Sequence, residues 1–86
     1  MSKYIFLRLE LSDGEQQYNA STALEVPDGE TIESVSNRYL NGFWGDSKPY
    51  FLAPERCVEY PNGVVGEIDR CQEITKEEFD ILSKYI

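Results

Sequence analysis

The side chains in this chain that could do chemistry are carboxylates and thiols, and they gather between Glu55 and Ile74. Glu55, Glu59, Glu67, Asp69 and Glu73 supply the acids, and Cys57 and Cys71 supply the sulfurs. Glu67 with Asp69, or Glu55 with Glu59, offers the two carboxyl groups that acid–base catalysis uses. Such a pair works in a concave site that gives its members different environments, and a flat strand face exposes both alike. Histidine is absent, which removes Ser-His and Cys-His nucleophilic dyads and the commonest zinc ligand. Neither phosphate-cradling pattern, GxGxxG or GxxxxGKS/T, occurs, and Gly42-Phe43-Trp44-Gly45 is no substitute for them. Two cysteines outside a CxxC pair are too few for a zinc site, and the acids do not sit in a glycine-containing calcium loop. The chemistry expected is therefore binding, with no catalysis, no cofactor and no metal.

The elements that position these groups are read from the turn at Tyr60-Pro61-Asn62-Gly63-Val64. A two-residue Asn-Gly turn would need positive φ at both positions and would scatter the apolar residues over two faces. A three-residue loop fits better, with Pro61 and Asn62 at the central positions of a type I turn and Gly63 as the left-handed bulge residue. Tyr60 then faces Val64. In that register Val58, Tyr60, Val64 and Ile68 share one face. Glu55, Cys57, Glu59, Val65, Glu67, Asp69, Cys71 and Glu73 share the other, as a ladder of carboxylates without an interspersed base. The two thiols lie two same-face steps apart, about 13 Å, too far to bridge, so both are expected to be free.

Eighty-six residues make one domain with a thin core, because a chain this short buries only about 60 to 65% of its unfolded surface. A hydrophobic fraction of 41% with 13% aromatic residues argues for a globular fold over disorder. Sixteen acids against eight bases give a net charge of −8, which repels nucleic acid and anionic membranes and favours a basic protein partner. The sequence contains no apolar run of about 20 residues and does not open with a charged-then-apolar leader, so a cytoplasmic protein is expected. Asn19-Ala20-Ser21 is then a chance sequon.

From Lys3 to Leu11, Ile5, Leu7, Leu9 and Leu11 alternate with polar or aromatic residues, which spells a strand with its odd positions inward. Ser12-Asp13-Gly14-Glu15 turns the chain. A second strand, about Gln17 to Val26, puts Tyr18, Ala20, Leu24 and Val26 on one side. Pro27-Asp28-Gly29 breaks it, and a helix opens at Glu30 or Thr31 with Ile32, Val35, Tyr39, Leu40 and Phe43 on one stripe. Asn41-Gly42 and Trp44-Gly45-Asp46 close that helix. Asp46 to Pro54 is a connector with at most a brief extended segment, a third strand begins near Glu55, and a fourth runs from Val64 to about Gln72. Thr75 with Glu78 forms a capping box, Ile74 with Phe79 a hydrophobic staple, and Phe79, Leu82 and Ile86 the buried stripe of a last helix.

The fold class expected is α+β: a four-stranded antiparallel sheet, in the order β-β-α-β-β-α, with both helices on one face. The opening hairpin followed by Val26-Pro27-Asp28-Gly29-Glu30-Thr31-Ile32 and a helix resembles the ubiquitin-like β-grasp arrangement over about half the chain. The second half, with its hairpin and C-terminal helix, departs from that pattern, so the resemblance implies an alternative fold and no function.

Acids on the open face of a sheet keep it soluble, which is one reading of this ladder. In the other, like charges on neighbouring strands cost about 0.2 to 1 kcal/mol each, so a sheet selected only for stability would mix signs. The first expectation is thus a small acidic binding protein, of the kind phages and mobile elements use as inhibitors, occupying a basic, nucleic-acid-binding surface of another protein. Its contact residues would be Glu55, Glu59, Glu67, Asp69, Glu73 and the sole tryptophan, Trp44. The second is an accessory subunit that docks through the aromatic segment from Phe43 to Phe51, where Trp44, Tyr50 and Phe51 offer anchors. Either acts as a monomer or a homodimer and touches neither nucleic acid nor membrane directly.

Overall fold

Strand β1 (Lys3–Ser12) is the spine of the molecule, because each of the three buried clusters contains a residue from its inward face. Ile5 packs with Val26 and Val35, Leu7 and Leu9 with Leu40, and Leu11 with Tyr60 and Val64. Ile5, Leu7, Leu9 and Leu11 are no more than 1% exposed, and burial of each stabilises the fold by about 1.5 to 3 kcal/mol. The computed structural model that shows this describes residues 2–85.

The remaining elements are β2 (Gln17–Val26), α1 (Ile32–Gly42), β3 (Lys48–Pro49), β4 (Cys57–Glu59), β5 (Val65–Ile74) and α2 (Lys76–Leu82). They form an antiparallel five-stranded sheet in the order β2-β1-β5-β4-β3. The α+β class and the hairpins are as expected from sequence. The fifth strand is the addition: Lys48 and Pro49 of the connector pair with Glu59 and Val58 at the sheet edge.

Helix α1 starts at Thr31, whose Oγ1 accepts the Ser34 amide at 3.0 Å. Its buried residues are Val35, Ser36 and Leu40, which face β1 and β5. Ser36 was not legible as a core residue. Its Oγ lies 3.4 Å from Sγ of the exposed Cys71 on β5, a polar contact where the apolar stripe has a gap.

Strand β5 carries a bulge that overturns two expectations at once. Arg8 pairs with Arg70 and Leu9 with Ile68, leaving Asp69 as an extra residue. An extra residue exchanges the faces of everything beyond it. Gly66 and Ile68 point to the α1 side, and past the bulge so do Cys71 and Glu73, opposite Leu7 and Ile5. Ile74 is thereby turned to the other face, opposite Tyr4, and α2 follows after Thr75 alone. The Phe79 ring packs on Tyr4 at 4.7 Å. The helices therefore cover opposite faces of the sheet, not one, because a single linking residue cannot carry α2 back across it.

The capping box at the start of α2 is present in full: Thr75 Oγ1 accepts the Glu78 amide at 3.1 Å, and Thr75 N–H donates to Glu78 Oε1 at 3.0 Å. The helix is short and has no fully buried residue. Phe79 and Leu82 are half-buried, and Ile86 of the expected stripe lies outside the described residues.

Candidate protein-interaction surface

The hairpin turn has the three-residue form. Tyr60 N–H donates to Val64 O and Gly63 N–H to Tyr60 O, each at 2.9 Å, with Gly63 at φ +87°. Asn62 Oδ1 accepts the Val64 amide at 3.0 Å, fixing the loop from within. This register pairs Cys57 with Glu67 and Glu59 with Val65, so Cys57, Glu59, Val65 and Glu67 do share the face away from α1, as expected. Beyond Asp69 the ladder ends. Glu73 and Cys71 stand on the α1 side, and Glu55 lies in the exposed turn before β4.

Nor is the face free of bases. Lys48 Nζ reaches Glu59 Oε1 at 3.7 Å, Arg56 reaches Glu67 Oε2 at 3.2 Å, and Arg8 Nε stands 3.1 Å from Asp69 Oδ2. The Arg8 contact is ionic and off the line of a hydrogen bond, since its Nε has no hydrogen-bond partner. Three of the five hairpin acids are thus paired across strands, which relieves the opposition of Glu10 and Glu67 on β1 and β5. One signal was in the sequence: Arg8 lies between Leu7 and Leu9 and so projects outward. The reach of Lys48 and Arg56 depends on the folding of the connector.

Cys57 is buried behind Glu67, whose Oε2 accepts from its Sγ at 3.5 Å. Burial foremost, then the hydrogen bond and charge of Glu67, push the Cys57 thiol pKa up, so it stays protonated. Both cysteines are free, but they lie on opposite faces, so the separation argued from a common face is not the reason.

Trp44 is neither enclosed nor fully exposed. Its ring meets Phe43 at 5.1 Å, Tyr60 at 5.5 Å edge-on and Tyr18 at 6.0 Å, closing the end of the core next to Leu11 while leaving 38% of its surface open. The freely presented apolar side chains of the connector are further along. Phe51 is 77% exposed and Leu52 71% exposed, at the tip of a loop closed by Tyr50 N–H to Cys57 O at 3.0 Å and Ala53 N–H to Tyr50 O at 3.1 Å. Tyr50 backs Phe51 at 5.1 Å. An open groove of about 450 Å³ runs from this loop over Glu59 and Val65 to Ser12. Leu52 was missed as a contact residue, because a leucine in a connector reads as core until the loop's own hydrogen bonds turn it outward.

A second open depression of about 880 Å³ lies beside α1, lined by Asn37, Arg38, Asn41, Ser47 and Lys48. Its two cations are engaged, Arg38 by Glu30 and Lys48 by Glu59. Among the described residues no three potential metal ligands converge, and no helix is long and apolar enough to cross a membrane. Comparison of the chain with protein-family models, curated proteins and solved structures returned no match.

Proposed function

We propose that the protein is a non-catalytic interaction module that docks onto a partner protein through the Tyr50–Leu52 loop, with the neighbouring carboxylates selecting a basic rim on that partner. The observation that carries this reading is the exposure of Phe51 and Leu52. Two adjacent large apolar side chains held out by a hydrogen-bonded loop are costly in water, and a partner pocket removes that cost. Glu55 extends the same loop, and Glu59 lies in the groove beneath it.

The broader electrostatic reading, occupation of a basic nucleic-acid-binding surface as a phage-type inhibitor would do, rests on the net charge of −8. It is second because Glu59, Glu67 and Asp69 already have counter-charges. Association kinetics with a captured partner separate the two readings. If the loop is the anchor, Phe51→Ser with Leu52→Ser speeds dissociation and salt has little effect. If the acids dominate, Glu59→Gln, Glu67→Gln and Asp69→Asn together slow association, and binding falls steeply with salt. Unchanged dissociation in the loop variant would overturn the first reading.

A further inference from the structure

The two edges of the sheet are built in opposite ways. One edge is β3, two residues long, and those residues are Lys48 and Pro49. A short edge carrying a lysine and a proline cannot accept another strand. The other edge is β2, ten residues long, paired with β1 in an unbroken register and containing no proline, lysine, arginine or bulge. Glu25 is the only charge guarding this edge, against the lysine, proline and shortness that protect β3.

The open backbone groups of β2 can be assigned. Asp13 N–H donates to Gln16 O at 3.1 Å, so the 13–16 pair is hydrogen-bonded, and bonded and non-bonded pairs alternate along an antiparallel ladder. Residues 18, 20, 22, 24 and 26 therefore face β1, and Gln17, Asn19, Ser21, Ala23 and Glu25 direct their N–H and C=O groups outward. Helix α1 packs mainly over β1 and β5, α2 touches β1 and β2, and no strand pairs with β2 on its outer side among the described residues.

We infer that β2 pairs antiparallel with β2 of a second copy of this chain, about a two-fold axis at Ser21, joining two five-stranded sheets into one. The commitment to a second copy comes from self-complementarity. With Ser21 opposite Ser21, Asn19 meets Ala23 and Gln17 meets Glu25, so all five outward residues are matched and no acid faces an acid. Shifting the register by one bonded pair leaves outward groups unmatched at the ends. On the α1 side the same register sets Tyr18, which is 38% exposed, against the half-buried Leu24 of the other copy, an apolar cross-strand contact made twice.

Sedimentation velocity over a concentration series tests the pairing, with a species of twice 9.9 kDa expected. Added salt tightens the dimer by screening the −8 charge on each copy. Binding through the loop responds little to salt and binding through the acids weakens with it, so failure here is distinct from failure of either docking reading. Ser21→Pro removes an outward N–H and no bond to β1, and it raises the dissociation constant by about tenfold or more. Should that variant fail to fold by circular dichroism, Ser21→Lys sets two ammonium groups across the axis and gives the same loss. An isotope-filtered Tyr18-to-Leu24 cross-peak reports the register, since six residues of strand separate the two by about 20 Å within one chain. A parent that sediments as a monomer at every concentration, as it would if β2 awaited a strand from a different protein, overturns the proposal. So does a folded Ser21→Pro variant that remains dimeric, or a dimer without the cross-peak.

Discussion

The Tyr60 hydroxyl donates a hydrogen bond to the Leu40 carbonyl, fastening the start of the hairpin turn to the last turn of α1. Among the described residues that carbonyl otherwise accepts only from the Phe43 amide, at 3.5 Å. Helix ends leave such acceptors open, and here a buried side chain closes one. Tyr60→Phe keeps the ring and leaves the acceptor, so it is expected to destabilise the fold by about 1 to 2 kcal/mol in urea. Burial foremost, with Tyr39 nearby, pushes the Tyr60 pKa up from 10.0 to about 12. The folded chain thus holds this proton more tightly than the unfolded one, so the contribution is full below pH 10 and is lost as pH rises toward about 12. Tyr60→Phe should flatten that alkaline slope; an unchanged slope would assign it to another group.

Gly66 and Gly63 lie close in sequence and serve different needs. A Cβ on Gly66 would stand 2.9 Å from Tyr60 Cε2 and 3.1 Å from Leu11 Cδ2, whereas one on Gly63 meets nothing within 4 Å but sits at φ +87°. Gly66→Ala is expected to cost about 1 to 3 kcal/mol by overpacking, and Gly63→Ala about 1 to 2 kcal/mol by backbone strain. Asparagine tolerates the left-handed region, so Gly63→Asn recovers part of the loss while Gly66→Asn deepens it. Equal urea midpoints for the two asparagine variants would contradict the distinction.

Thr75→Ala should lower stability by about 1 kcal/mol by removing the side-chain acceptor of the Glu78 amide, and Glu78→Ala by less, because it frees only the Thr75 N–H. Midpoints equal to the parent for both variants would show that α2 forms without its cap.

The two thiols are expected to differ in reactivity. Cys71 is exposed and reacts quickly with a maleimide at mildly alkaline pH, whereas Cys57 is buried with a raised pKa and reacts slowly. Glu67→Gln removes one of the causes and should speed labelling at Cys57 without altering Cys71. Peptide mapping of the labelled chain decides this, and equal initial rates at the two positions would refute the burial of Cys57.

Local rules acting over a few residues determined much of this protein from the sequence alone. The alternation of Ile5, Leu7, Leu9 and Leu11 set the buried face of β1, and Pro61-Asn62-Gly63 set the hairpin register as far as Ile68. Thr75 marked the start of α2, and of the two positions offered for the start of α1, Glu30 and Thr31, the second is the cap. In each case the partner group lies within a turn or a strand pair, so residue type and spacing suffice.

What the tertiary structure alone decided follows mainly from Asp69. The period of a strand is two, so one unpaired residue exchanges the faces of all that come after it. Nothing in Ile68-Asp69-Arg70 announces that residue. The bulge exists because Arg8 and Leu9 of β1, some sixty positions earlier, must meet Arg70 and Ile68. It ended the carboxylate ladder, sent Cys71 to Ser36 and carried α2 to the face of Tyr4. The pairing of Glu59 with Lys48 and the outward turn of Phe51 and Leu52 likewise depend on how the connector closes against β4. These are contacts between segments distant in sequence, fixed by the packing of the whole chain, and no local pattern encodes them.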